Sequence, residues 1–295
     1  MYETILIPTD GSAHAERAAR HAVSLAEAFD ATVTVLGVAD LNRAAGAFSA
    51  GGIDDEFRER VRGDAESAVE EAAALADDRV PVETAVVDGD PAKAIVDYAD
   101  EGEFDAVAMG THGRRGLSRL VFGSVARYVV RHTTRPVLTA RETDADAVTD
   151  YDDVLVPTDG SDAAEAAIDH GLAVADAFDA TVHAVNIVDL SGMAAGSGVE
   201  PPTSQLERYT EAGEAAVEAV AERARAEGLD AVTAVEHGFP AADLHDYVDE
   251  AEVDLVAMGT HGRTGIDRVL LGSTTERVLS RSPAPVLAVH PDDAE

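Results

Sequence analysis

"DAVAMGTHGR" occupies Asp105–Arg114, and "DLVAMGTHGR" occupies Asp254–Arg263. In each, an acid opens a short apolar run that ends on glycine, the pattern of a buried strand running into a tight turn. The copies lie 149 residues apart, and the same offset recurs outward from them. "ILIPTDGS" (Ile5–Ser12) returns as "VLVPTDGS" (Val154–Ser161), and "AFDATV" (Ala28–Val33) returns at Ala177–Val182. "RPVLTA" (Arg135–Ala140) matches "APVLAV" (Ala284–Val289). The chain therefore reads as one unit written twice. The expected layout is a first domain over 1–141, a polar linker over 142–151, a second domain over 152–290 and an acidic tail at 291–295.

In the first half, strands are expected at 3–8, 32–38, 81–87, 105–109 and 136–140. Helices are expected near 13–28, 57–76, 91–101 and 124–132. Such alternation implies an α/β fold, a parallel sheet with helices on both faces. The first helix puts Ala15, Ala18, Ala22, Ala26 and Phe29 on one stripe, with Ser12 and Ser161 as N-caps of the two copies. The segments 42–55 and 191–204, rich in Gly, Ala, Ser and Pro, read as flexible connectors rather than lids.

Composition narrows the partners. The formal charge is −35, from 57 acidic and 22 basic residues, and a surface this acidic repels nucleic acid and anionic membrane. Lys93 is the only lysine. Abundant acids with almost no lysine suit a chain adapted to molar salt, where self-repulsion is screened. A 46% hydrophobic content argues against an acidic disordered chain. Without cysteine, disulfides and thiolate metal sites are excluded. No charged-then-apolar leader opens the sequence, and no apolar run approaches the roughly 18 residues of a membrane span. A cytoplasmic protein is the expectation.

Beyond the quoted strand the spacing continues as Gly-x2-Gly-x9-Gly-Ser: Gly110, Gly113, Gly123 and Ser124, then Gly259, Gly262, Gly272 and Ser273. The first glycine is expected where the backbone turns past a ligand. Ser124 is expected to cap the following helix, whose free N–H groups would face an anion such as phosphate. Residues 114–135 hold six arginines and no acid, and 263–284 hold four arginines with Asp267 and Glu276. Those windows carry ten of the 21 arginines, where an even spread would give about three. The smaller excess in the second window predicts a weaker phosphate grip there. Asp10 and Asp159 close "PTDGS", at the carboxyl end of the first strand of each half. With strand order 3-2-1-4-5, aspartate and glycine loop line one crevice where the order reverses. Taken alone, Asp10 is a turn residue.

Together these residues resemble the universal stress protein family, in its ATP-binding class, over nearly the whole chain as two tandem domains. The resemblance rests on the first-strand aspartate, "AMGTHG", the glycine spacing and the closing "PVL" strand. It implies two Rossmann-like domains, each a five-stranded parallel sheet, binding ATP or another adenine nucleotide with Mg²⁺ held through the phosphates. Carried over residue by residue, Pro8, Thr9, Asp10 and Val38 would face adenosine. Met109, Gly110, Gly113, Arg114, Gly123, Ser124 and Val125 would surround ribose and phosphates. The matches in the second half are Pro157, Thr158, Asp159, Ile187, Met258, Gly259, Gly262, Arg263, Gly272, Ser273 and Thr274. Ile187 for Val38 and Thr274 for Val125 are mild departures. The resemblance also implies pairing through the last strands, here between the two halves of one chain, and allows a homodimer.

Motifs of other nucleotide enzymes are missing. There is no Gly-Lys-Ser/Thr, since Lys93 sits in "DPAKAIV", and "PTDGS" stands where a dinucleotide glycine motif would be. HExxH and GxSxG are absent as well. His112 and His261 are the histidines expected at the sites, in loop structure or phosphate contact rather than catalysis. A triad of Asp10, Ser12 and His112 has no support in spacing. The leading expectation is a nucleotide-binding sensor of the stress response. A slow ATP hydrolase or nucleotidyl-group enzyme, and a structural stress dimer with empty loops, are the alternatives.

Overall fold

The structure, a computed structural model, describes residues 1–41, 55–113, 122–141, 150–190, 203–261 and 271–291. The expected connectors, apart from their last residues, and most of the expected linker lie outside these segments. The chain divides into two compact units, Met1–Thr149 and Asp150–Glu295.

The first unit runs β1 (Thr4–Thr9), α1 (Ala13–Phe29), β2 (Thr32–Ala39), α2 (Asp55–Ala73), β3 (Val82–Asp88), α3 (Pro91–Glu101), β4 (Ala106–Gly110), α4 (Ser124–His132) and β5 (Val137–Ala140). All its pairings are parallel, in the order β3-β2-β1-β4-β5. The second unit runs β6 (Asp153–Pro157), α5 (Asp162–Phe178), β7 (Thr181–Asp189), α6 (Thr203–Ala226), β8 (Ala231–Gly238), α7 (Pro240–Glu250), β9 (Leu255–Gly259), α8 (Ser273–Arg281) and β10 (Val286–Val289). Its order, β8-β7-β6-β9-β10, repeats the first. The order reverses between β1 and β4, and between β6 and β9, which opens a crevice at the strands' carboxyl ends.

Local chemistry accounts for the elements. β1 and β4 are buried almost throughout, as strands covered on both faces must be. Along α1, Ala15, Ala18, Ala22 and Ala26 are all buried on the sheet, and Tyr2 meets Phe29 edge-on at 5.0 Å. The Ser12 hydroxyl accepts the Ala15 N–H at 3.3 Å, and Ser161 does the same for Ala164 at 3.3 Å. Both serines are therefore the side-chain caps their position suggested. Helix α2 differs from expectation: it ends at Ala73, and Ala74–Ala76 tighten into a 3₁₀ turn. Asp77 and Asp78 then take left-handed conformations that turn the chain toward β3.

The acid that opens each quoted strand works at the sheet's other end. Asp105 Oδ2 accepts the N–H groups of Glu3 and Thr4 at 2.8 and 2.9 Å, pinning the start of β1 beside β4. Asp254 Oδ2 holds Asp152 and Asp153 in the same way at 2.9 and 3.1 Å.

Candidate functional site

A turn of fixed geometry follows β1. Thr9 Oγ1 accepts the Gly11 N–H at 3.1 Å and Asp10 Oδ1 accepts the Ser12 N–H at 3.1 Å, while Gly11 sits at φ 68°, where glycine is favoured. Thr158, Asp159, Gly160 and Ser161 repeat the turn, with bonds of 3.1 and 3.0 Å. One carboxylate oxygen of Asp10 is thus a turn acceptor. The other lies against Gly113, where any Cβ would collide with it. Aspartate and glycine loop do meet in one crevice.

The first glycine of the motif also packs against the first helix. A Cβ on Gly110 would stand 2.7 Å from the Ala15 backbone nitrogen, so this glycine lets α1 approach the end of β4. Gly259 faces the Ala163 backbone likewise. The Gly123 N–H donates to Thr111 O at 2.9 Å, and Gly272 to Thr260 O at 2.8 Å, which closes the base of each loop. The expected cap is also corrected. Gly123, extended at φ −61° and ψ 146°, is the N-cap of α4, and Ser124 is its first helical residue. Among the described residues no side chain caps this end, which leaves its first-turn N–H groups available to water or a ligand. Arg114, Gly262 and Arg263 lie outside the described residues.

A cavity of about 450 Å³ occupies the crevice of the first unit, a size suited to a small organic ligand. Its wall includes Pro8, Thr9, Asp10, Val38, Met109, Gly110, Gly113, Gly123, Ser124 and Val125. Sequence reasoning missed Leu36, Asp40, Val61, Asp64, Ala65, Pro91 and Ile95, which also line it. The starts of both α3 and α4 open onto the space. Arg127, Arg131 and Arg135, the arginines of the first window that fall among the described residues, are not in its wall. Arg127 reaches the Phe122 carbonyl instead, at 3.5 Å. In the second unit, Pro157, Thr158, Asp159, Ile187, Met258 and Gly259 stand at the matching strand ends, and Gly272, Ser273 and Thr274 at the start of α8.

Histidines gather at the loop base in each unit. Thr111 Oγ1 lies 3.1 Å from His112 Nδ1 and 3.5 Å from His14 Nδ1. Thr260 Oγ1 lies 2.9 Å from His261 Nδ1 and 3.1 Å from His290 Nδ1. His14 and His290 were not foreseen, because only the strand order brings them beside the loop. Burial, then His14 and Arg141, push the His112 imidazole below its ordinary value. The imagined triad does not form. Ser12 Oγ contacts the His112 carbonyl oxygen at 3.4 Å, not its ring. Among the described residues no group of three or more His, Asp or Glu side chains is placed to hold a metal ion, and no helix is long and apolar enough to cross a membrane.

The fold and the motifs have known counterparts. A universal stress protein of Methanocaldococcus jannaschii is 37% identical over 142 residues, 47% of this chain and 82% of that protein. One of Mycolicibacterium smegmatis is 28% identical over 299 residues, 97% of each chain. The crystal structure of a universal stress protein from Archaeoglobus fulgidus shares the fold, with a TM-score of 0.72 at 23% identity over 99% of this chain and 97% of that one. The model of the universal stress protein family matches residues 1–141 and again 150–290. Two copies of one α/β unit, each with its aspartate turn and motif glycines, make this chain a tandem member of the universal stress protein family.

Proposed function

We propose that this chain is an adenine-nucleotide sensor of the stress response, with one ATP site in each unit and Mg²⁺ carried by the nucleotide's phosphates. The observation that supports it most is the cavity at the β1/β4 reversal. Its wall joins the apolar β2 residues Leu36 and Val38 to the uncapped start of α4. Apolar wall at one end and free N–H groups at the other suit a base and a phosphate chain respectively. When bound, Mg²⁺ would offset the phosphate charge beside the carboxylates of Asp10, Asp40 and Asp64. The resemblance further supports pairing of the halves through their last strands and self-association of the chain, which sedimentation of the intact protein would test.

The direct test strips and identifies any copurifying nucleotide, then titrates MgATP calorimetrically in molar KCl. Gly123 is a poor position to alter, since a Cβ there would stand 2.5 Å from Thr111 O and disturb the backbone. Val38→Trp and Ile187→Trp instead add bulk at the adenosine-facing positions of the two units. Each is expected to weaken its own site about five- to 150-fold, an overpacking cost of about 1–3 kcal/mol. Absence of binding by folded wild type would end this proposal.

A further inference from the structure

We propose that His112, Thr111 and His14 form a proton relay from the cavity wall toward solvent, so that binding a phosphate-bearing ligand there takes up a proton. The proposal rests on the nucleotide reading and adds how that site responds to pH.

His112 is nine-tenths buried, lines the cavity, and has an Nε2 without a partner among the described residues. Its Nδ1 meets Thr111 Oγ1 at 3.1 Å, and the same oxygen is 3.5 Å from Nδ1 of His14, which is partly exposed on the first turn of α1. The two rings stand 5.1 Å apart. One hydroxyl proton cannot serve both nitrogens. When Thr111 donates to one ring it accepts from the other, so the two tautomers are linked. A proton taken from solvent at His14 can thus appear on His112 without either ring moving far.

The charges supply the drive. His14 from α1 and Arg141 after β5 act on His112, and Asp10 from the turn after β1 shares the cavity wall with it. Burial, His14 and Arg141 disfavour the imidazolium, so the ring is neutral near pH 7 in the free protein. A phosphate group at the start of α4 adds about two negative charges and tips the balance toward the protonated ring.

The second unit repeats the contact of one threonine hydroxyl with two histidines. Thr260 Oγ1 stands 2.9 Å from His261 Nδ1 and 3.1 Å from His290 Nδ1. Yet His290 follows β10, whereas His14 belongs to α1, and the repeat places Arg141 and Ala163 at their respective counterparts. Plain duplication would have kept one second histidine. Two non-equivalent residues instead reach the repeat-matched hydroxyls of Thr111 and Thr260.

The experiment titrates MgATP into Ile187→Trp protein, with and without His112→Gln, between about pH 6 and 8 in buffers of different ionisation enthalpy. Ligand titration is common to both, so the difference belongs to the protein. Uptake of roughly half a proton more by the parent near pH 7 is expected, with affinity rising several-fold toward acid pH only in the parent. Equal proton counts would overturn the relay and leave the nucleotide reading standing. No binding at any pH would overturn both. Ring ¹⁵N spectra of the ligand-free protein give a separate check: Thr111→Val should uncouple the titrations of His14 and His112, and unchanged titrations would also sink the relay.

Discussion

His21 shows how far one buried group bends the pH response. It lies on α1 without exposed surface, and burial, helped by Arg17, lowers its imidazole to about 3. In the unfolded chain the ring returns to about 6.5. The folded state therefore binds fewer protons below about 6.5, and the stability this group contributes is lost as pH falls from there toward 3. His21→Gln should flatten the acid side of the first unit's urea-unfolding profile relative to wild type. Carboxylates titrate in the same range but are common to both proteins. Parallel profiles would mean that His21 is not the group responsible.

The strand–helix contact beside the crevice is made in two reciprocal ways. On β2, Gly37 lets α2 come close, since a Cβ there would stand 2.8 Å from Val69 Cγ2 and 3.1 Å from Ala65 O. On β7 the repeat-matched residue is Asn186, whose Nδ2 donates to Thr158 O at 2.6 Å, and the room for it comes from Gly213 on α6. Asn186→Ala should cost the second unit about 1–3 kcal/mol, because a buried carbonyl loses its donor. Gly37→Asn should cost the first unit about 1–3 kcal/mol by overpacking, with part recovered when Ala65→Gly is added. Chemical unfolding of each variant reads both effects. An Asn186→Ala protein as stable as wild type would show that water replaces the bond.

Charge governs the molecule as a whole. Arg20–Glu16 at 2.8 Å, Arg79–Glu27 at 3.1 Å, and Arg62 with Glu66 and Asp88 at 3.2 and 3.3 Å are exposed pairs. Such pairs contribute little each, and 22 basic residues cannot balance 57 acids. The net self-repulsion is screened once the Debye length falls to about 3 Å near 1 M salt. The thermal midpoint should therefore climb steeply from about 0.1 M to molar KCl. A flat or falling midpoint would show that the acidic surface imposes no salt requirement.

Strand and helix positions were legible because they depend on short-range patterns: apolar runs, alanine spacing, serine caps, and a repeat that reads each pattern twice. The crevice was legible for the same reason, since Asp10 and the glycines end strands whose order follows from the fold class. Other features depended on contacts between distant segments. His14 and His290 reach Thr111 and Thr260 only after β4 and β9 have neighbours, and Asp64 and Val61 reach the cavity only once α2 has docked on β2. Ser124 lost the cap position to Gly123 because capping is set by backbone dihedrals, which residue type only biases. Periodicity and turn chemistry act over a few residues and are written along the chain. Which faces meet, and which proton or carbonyl lies between them, is decided by packing in three dimensions.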